Sequence, residues 1–176
     1  MSNSLVITAL GHDRPGLVAE ISKTINELSC NIEDSRMSVL GGEFAILLLV
    51  SGNWDKLAKL ETTLKNLQDK TSLIINTQRT EERKESKGKI PYSIEVVSID
   101  HPGIVHKLAD FFSSRKINIC DMVSGCQPAP HTGTPIFTLN MILEITADTH
   151  IATLRDDFMD FCEDLNLDAV MEPCKV

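Results

Sequence analysis

The chain has 176 residues, of which 42% are hydrophobic and 24% charged, an ordinary composition for a soluble protein. Its formal net charge of −8 disfavours direct binding of nucleic acid through a broad basic surface. The longest apolar run, residues 44–50, is far below the roughly 20 residues that a membrane-spanning helix needs, and the N-terminus lacks the basic start and apolar stretch of an export signal.

The first half of the chain alternates the apolar patterns of strands and helices. In chain order the pattern predicts a strand at 4–10, a helix at 13–29, strands at 31–40 and 43–51 joined by a glycine turn at 41–42, a helix at 54–67 and a strand at 72–78. The same βαββαβ order is predicted again over residues 92–171. This is an α+β, ferredoxin-like arrangement, a four-stranded antiparallel sheet with two helices on one face.

The two halves also match as an internal repeat. Residues 10–18 align with residues 97–105, and the same offset places Asn31 on Asn118. Two matched motifs at one constant offset are hard to obtain by chance. The second copy is longer, because it carries an insertion at 127–135 whose role the sequence does not decide.

The repeat predicts the domain organisation. We expect a first domain at 1–79, a linker at 80–90 and a second domain at 91–176. The linker is dense in charge and almost free of apolar side chains, so it cannot bury itself. Each copy leaves one sheet face and its edge strands uncovered, which favours association of the copies and then of two chains. The expected assembly is a homodimer.

An Asp-x-Pro-Gly motif joins the first strand to the first helix in each copy. It predicts an N-cap at Asp13, whose carboxylate would accept from the amide of Gly16, with Pro15 in the first helical turn and the glycine allowing close approach of helix and sheet. Asp100, Pro102 and Gly103 predict the same structure in the second copy.

The same motif also indicates a binding site. A helix N-terminus with free amides is a natural site for a carboxylate or phosphate. Here it lies beside Arg14 in the first copy and His101 in the second, and Asn31 or Asn118 could supply a polar contact. An amino acid's carboxylate would suit such a place.

The doubled Asp-x-Pro-Gly motif with its matched asparagines resembles the ACT domain family, small βαββαβ regulatory modules that bind amino acids and related effectors. The tandem architecture is similar to that of the glycine cleavage system transcriptional repressor family. This resemblance implies a non-catalytic accessory regulator without its own DNA-binding domain. It would contact a transcription factor and sense an amino acid, with glycine as a candidate effector.

The resemblance also implies where a ligand binds. Effectors of ACT domains lie between modules, against the first strand–helix loop of one and the start of the second strand of a neighbour. Carried onto this chain, the ligand-binding residues are Gly11, His12, Asp13, Arg14, Pro15, Gly16, Leu17, Asn31, Ser98, Asp100, His101, Pro102, Gly103, Ile104 and Asn118. The serine-binding form of the family has His at the positions of Gly11 and Ser98 and Asn at those of the two aspartates. The negative charge of Asp argues against serine in that mode.

Other chemistry is not indicated, and we expect no catalytic residue, metal or cofactor. Cys120, Cys126 and His131 near the insertion lack the spacing of a four-ligand metal site, and no His–acid arrangement accompanies any thiol. The five cysteines are odd in number and contain no CxxC pair, which is typical of free thiols in the cytoplasm. The alternative function is an allosteric subunit or partner of a metabolic enzyme.

Overall fold

The computed structural model describes residues 3–81 and 88–174, and the chain divides into two compact units, Met1–Lys84 (unit 1) and Glu85–Val176 (unit 2). Unit 1 consists of β1 (Asn3–His12), α1 (Leu17–Glu27), β2 (Asn31–Leu40), β3 (Glu43–Gly52), α2 (Trp54–Thr71) and β4 (Ile74–Thr80). Unit 2 consists of β5 (Lys89–Ile99), α3 (Ile104–Ser114), β6 (Asn118–Pro128), β7 (Pro135–Thr146), α4 (Ile151–Asp164) and β8 (Asp168–Pro173). The predicted βαββαβ order is confirmed in both.

Each unit has one antiparallel four-stranded sheet, in the order β2-β3-β1-β4 in unit 1 and β6-β7-β5-β8 in unit 2. Alternate residues of the central strands point to one face, where the helices cover them. In unit 1 the core joins Leu5 and Ile7 of β1 to Ile21 of α1 and Leu60 of α2, all at most 1% exposed. These contacts confirm the predicted ferredoxin-like fold.

The core of unit 2 is more aromatic. Phe112 of α3 and Phe158 of α4 are fully buried, with their ring centroids 5.1 Å apart. Phe111 packs beside both rings. None of the described helices combines the length and apolar character that a membrane crossing requires.

Several element ends differ from the sequence pattern. Helix α2 continues to Thr71, one turn past the predicted end, since no glycine or proline interrupts residues 68–71. The helix stops at Ser72, whose backbone is left-handed with φ 58°, and β4 then begins at Ile74. Of the predicted linker, residues 82–87 lie outside the described residues, Thr80 ends β4 and Lys89 begins β5.

The start of each first helix corrects the predicted role of the Asp-x-Pro-Gly motif. Helix α1 begins at Leu17 with Gly16 as its N-cap, and no side chain caps it; α3 begins at Ile104 after Gly103 in the same way. Asp13 and Asp100 are therefore not N-caps, and the prolines lie in a turn before the helix. The physical reason is the turn itself, which brings the glycines to φ 95° and 97°.

The predicted close approach at Gly16 was also wrong. A Cβ placed on Gly16 or on Gly103 would meet nothing within 4 Å. Glycine is required there because a positive φ disfavours any side chain, and not because space is short.

Candidate ligand-binding site

Loop 1, residues 11–17, connects β1 to α1 in unit 1. The Asp13 amide donates to the Gly42 carbonyl across 3.1 Å, which ties the loop to the β2–β3 turn. The Glu20 amide donates to the Gly16 carbonyl at 2.9 Å and begins the helical hydrogen-bond ladder. The amides that precede it in the first turn have no acceptor within the helix. They form the anion-attracting end of the helix dipole.

Loop 2, residues 98–104, repeats this geometry in unit 2. The Asp100 amide donates to the Pro135 carbonyl at 2.9 Å, and the Lys107 amide donates to the Gly103 carbonyl at 3.0 Å. The two loops thus form equivalent main-chain hydrogen bonds. What differs is the set of side chains around each helix N-terminus.

In loop 1 the basic side chain is already paired. The Arg14 guanidinium donates Nη1 to Glu20 Oε1 at 2.9 Å and Nη2 to Glu20 Oε2 at 2.8 Å. This bidentate hydrogen bonding lowers the pKa of Glu20 and raises that of Arg14. His12 lies at the edge of the loop, with Nδ1 3.5 Å from a Glu43 carboxylate oxygen. Sequence reasoning found Arg14 and missed Glu20.

Loop 2 contains a different set of contacts. His101 Nδ1 lies 3.2 Å from the carbonyl of Pro102. The Asp100 carboxylate lies beside the Cys126 thiol of β6, and burial, followed by the charge and hydrogen bonding of Asp100, raises the pKa of that thiol. In the β6–β7 register Cys126 stands opposite Phe137, at the base of the hairpin that carries the 127–135 insertion. The insertion therefore lies at the loop 2 end of the sheet.

Asn31 and Asn118 lie at the opposite end of their sheets from these loops. Asn31 pairs with Ser51, which pairs with Ser4 at the start of β1, whereas His12 of loop 1 pairs with Glu43. Along β1, Ser4 and His12 are roughly 25 Å apart, because a strand advances by about 3.3 Å per residue. Asn118 pairs with Glu144 at the corresponding end of unit 2. A single unit therefore does not bring its loop and its asparagine together.

A β-bulge follows each asparagine. The pairing of β2 with β3 shifts between Ile32 and Asp34, which places Glu33 in the bulge. Ser51 Oγ donates to Glu33 Oε1, as does Asn31 Nδ2 at 2.8 Å. These two hydrogen bonds lower the pKa of Glu33, and the one from Ser51 has the larger effect. Asn31 thus sits in a polar cluster with a carboxylate.

The bulge in unit 2 has a different residue at the same place. The register of β6 on β7 shifts between Ile119 and Asp121, around Cys120. Asn118 Nδ2 lies 3.5 Å from the Cys120 sulfur. The two asparagines therefore share their backbone position but not their electrostatic surroundings. The repeated Asn-Ile pair was visible in the sequence, whereas the bulge was not.

Each asparagine lines an open groove between the first helix of its unit and the following strand. In unit 1 this groove is formed with Ser22, Asn26 and Ile32, and in unit 2 with Ser113, Lys116 and Ile119. No residue of loop 1 or loop 2 lines either groove. Each unit thus has a helix N-terminus at one end of its sheet and a polar groove at the other.

Comparison with known proteins extends over both units. The ACT domain family model matches residues 3–78. The glycine cleavage system transcriptional repressor of Escherichia coli (strain K12) is 33% identical over 162 residues, covering 92% of this chain and 85% of that protein. A solved structure of a protein proposed to be a glycine cleavage system transcriptional repressor matches with a TM-score of 0.73 and 28% identity, covering 100% of this chain and 99% of the other. An unknown protein from Galdieria sulphuraria matches with a TM-score of 0.79 and 25% identity, covering 99% of this chain and 100% of the other.

Proposed function

The chain belongs to the ACT-domain family of the glycine cleavage system transcriptional repressor, and on that premise we propose that it is a non-catalytic regulator that senses an amino acid, with glycine as the first candidate. It would act by contact with a transcription factor. The observation that carries the proposal is the similarity to the Escherichia coli repressor, which is 33% identical and spans 92% of this chain.

The chemistry of the loops supports an amino acid as the ligand. A zwitterion carries a carboxylate and an ammonium group within a few ångströms of each other. The first-turn amides of α1 suit the carboxylate. Asp13, whose side chain forms no cap on the helix, offers a carboxylate for the ammonium group. Loop 2 offers the same main-chain amides together with Asp100.

The separation of loop and asparagine supports a site that involves more than one module. Because loop 1 and Asn31 lie at opposite ends of one sheet, a small ligand that touches both kinds of residue must touch two modules. Binding of this kind favours the associated arrangement of modules over others, which is how a small molecule would change the affinity for a protein partner. A homodimer is the assembly we propose for this purpose.

A thermal-shift screen of the purified chain against the common amino acids tests the sensing function. A ligand that binds only the native state must raise the melting temperature by mass action. We expect a selective rise with glycine or a close analogue and none with amines or carboxylic acids that lack the second group. Equal responses to every amino acid, or none at all, would contradict the proposal.

Affinity capture from cell extract, with and without glycine, tests the second half of the proposal. We expect a DNA-binding transcription factor whose recovery changes with glycine. Recovery of a metabolic enzyme in its place would show that the chain regulates catalysis and not transcription.

A further inference from the structure

The sheet of unit 1 has an open face, on the side away from its helices. Because side chains alternate along a strand, the residues between the buried core positions of β1, β3 and β4 point to this face. Over the middle of the sheet they form three cross-strand rows, Leu49-Val6-Gln78, Leu47-Thr8-Asn76 and Ala45-Leu10-Ile74. All nine of these described positions are uncharged and six are apolar, with Leu47 43%, Leu10 44% and Ile74 61% exposed. A contiguous apolar face of this kind marks a site of association.

The open face of unit 2 is polar. Its equivalent rows are Ile142-Ser93-Glu172, Asn140-Glu95-Val170 and Thr138-Val97-Asp168. Three of these nine residues are apolar and three are acidic. The two units share one fold and one register, so folding does not require the apolar character of the face in unit 1.

Two opposite charges border the apolar rows of unit 1 on the edge strand β2. In the register Asp34 and Arg36 pair with leucines of the open face, so both side chains lie on that face, with the guanidinium 3.9 Å from the carboxylate. Their rows lie on either side of Ile7, near the middle of β1. The carboxylates of Glu33 and Glu43 lie toward opposite ends of the sheet. The centre of the face is therefore apolar and neutral, with one charge of each sign placed about its midpoint.

We propose that this face packs against the same face of a second copy of the chain, related by a two-fold axis that crosses the strands near Ile7. Such an axis reverses the strand direction of one sheet relative to the other. Asp34 of each copy then lies over Arg36 of the partner subunit, and both contacts join opposite charges. The open face of unit 2, polar and acidic, is a poorer match for an apolar surface, which favours a second unit 1 as the occupant.

The size of the face suits a dimer. Four strands about 4.8 Å apart, each with about ten residues at about 3.3 Å, give a face of roughly 600 Å² in projection. Two such faces together reach about 1,200 Å², the lower bound of stable and specific protein interfaces. Sheets that pack in this way lie about 10 Å apart with their strand directions within about 30°.

The same axis gives the proposed homodimer a route to a shared ligand site. Loop 1 follows one end of β1, whereas Asn31 pairs with Ser51 at the other end of the sheet. Because the axis reverses the sheets, loop 1 of each copy is directed toward the Asn31 end of the partner subunit. This consequence rests on the proposed function, whereas the dimer itself requires no ligand.

Sedimentation equilibrium of the full chain, without glycine and over a concentration series, measures the dimer. Leu47→Asn introduces the residue that unit 2 has at the equivalent position, Asn140. We expect dimerisation to weaken at least about tenfold, because each dimer loses two buried leucine side chains. Val170→Asn makes the same kind of change at an exposed residue on the open face of unit 2 and should leave the dimer unchanged. Circular dichroism checks that both variants fold.

Charge reversal tests the two-fold axis. Arg36→Asp and Asp34→Arg each place like charges together in both contacts, and we expect each to weaken dimerisation at least about fivefold at low ionic strength. An equimolar mixture of the two variants should form heterodimers, because every contact then joins an aspartate to an arginine. The mixture restores no ion pair within a chain, so its recovery reports the contact between copies and not the stability of the fold.

The outcomes are distinguishable from those of the proposed function. A chain that stays monomeric at millimolar concentration overturns the inference, as does a dimer that Leu47→Asn leaves intact or that Val170→Asn weakens equally. A mixture that recovers no dimer overturns the two-fold arrangement. If the chain is monomeric and Leu47→Asn abolishes capture of a transcription factor, the face binds that partner in place of a second copy. Dimerisation as expected without any response to glycine would contradict amino-acid sensing and support this inference.

Discussion

The carboxylate of Asp100 lies near the thiol of Cys126, and the Asp100 amide donates to the Pro135 carbonyl, so the strand–helix loop of unit 2 is joined to its longer β6–β7 hairpin. The corresponding hairpin position in unit 1 is Val39, opposite Phe44 in the register. Asp13 therefore lacks the thiol neighbour that Asp100 has. The hairpin insertion and loop 2 lie at the same end of the sheet, and substitutions in either are expected to affect the other.

Asp100→Asn should make Cys126 more reactive. Burial, and after it the charge of Asp100, raises the pKa of the thiol, so removing that charge lowers the pKa and increases the thiolate fraction at a given pH. Alkylation rates at Cys126, measured by mass spectrometry across a pH series, should shift toward lower pH. Asp110→Asn, on α3, is the matched control. A profile that moves equally in both variants would show that the effect is not local.

Gly16→Ala should destabilise unit 1 by about 1 kcal/mol, because an L residue at a left-handed φ costs about 1–2 kcal/mol and part of this is offset by a stiffer unfolded chain. No neighbour obstructs the new Cβ, so the loss is conformational and not steric. Urea unfolding followed by the fluorescence of Trp54, the single tryptophan of the chain, measures it. A neutral result would mean that the turn tolerates a negative φ.

Asp13→Ala should change the stability of unit 1 by less than about 0.5 kcal/mol, the range of surface substitutions without a structural partner. An N-cap aspartate would cost about 1 kcal/mol in the same experiment, but Gly16 occupies the cap position and no side chain caps α1. The same urea titration decides between the two values. A loss near the larger value would restore the capping role predicted from the sequence.

Glu61→Gln should remove an acid-dependent part of the stability of unit 1. The hydrogen bonds from Arg79, at 2.9 Å each, lower the pKa of Glu61 from its usual value of 4.5. A carboxyl group with a lowered folded pKa stabilises the fold above its unfolded pKa and loses this effect as pH falls through the folded value. The variant should be about 1 kcal/mol less stable at neutral pH.

That deficit should begin to shrink below about pH 4.5 and vanish as pH falls through the lowered pKa of folded Glu61, where the unaltered chain also loses the pair. Unfolding titrations at neutral and acidic pH measure the difference, with Glu27→Gln as the exposed control. A deficit that stays constant over this range would contradict the assignment of the ion pair as its source.

Much of the fold was predictable because apolar periodicity marks the buried face of each element. Leu17, Ile21 and Ile25 recur at helical spacing in α1, and all three are buried. The strand β3 was equally clear, since its alternate residues point into the core. Matching the two halves then predicted the second unit from the first.

The start of α1 could not be read in the same way. Asp-x-Pro-Gly is compatible both with a capped helix and with a turn followed by a helix, and the positive φ of Gly16 is a property of the folded chain. The pair of Arg14 and Glu20 spans six residues, which is not a helical contact spacing. It forms only because the turn places Arg14 beside the helix.

The arrangement of the site was the least predictable feature. Loop 1 and Asn31 are close in sequence, yet α1 runs back along the sheet and leaves them at opposite ends. A site that uses both would depend on the association of modules, which is a property of the assembly and not of local patterning.

The most direct test of the sensing account is calorimetric titration of glycine into the full chain and into the Asn31→Ala and Asn118→Ala variants. Both asparagines are exposed and lie outside the buried core, so the variants should fold normally. The account predicts saturable binding to the unaltered chain and at least about tenfold weaker binding when the contributing asparagine is lost. Unchanged affinity in both variants, alone and combined, would contradict the site, and the absence of any heat of binding would contradict glycine as the ligand.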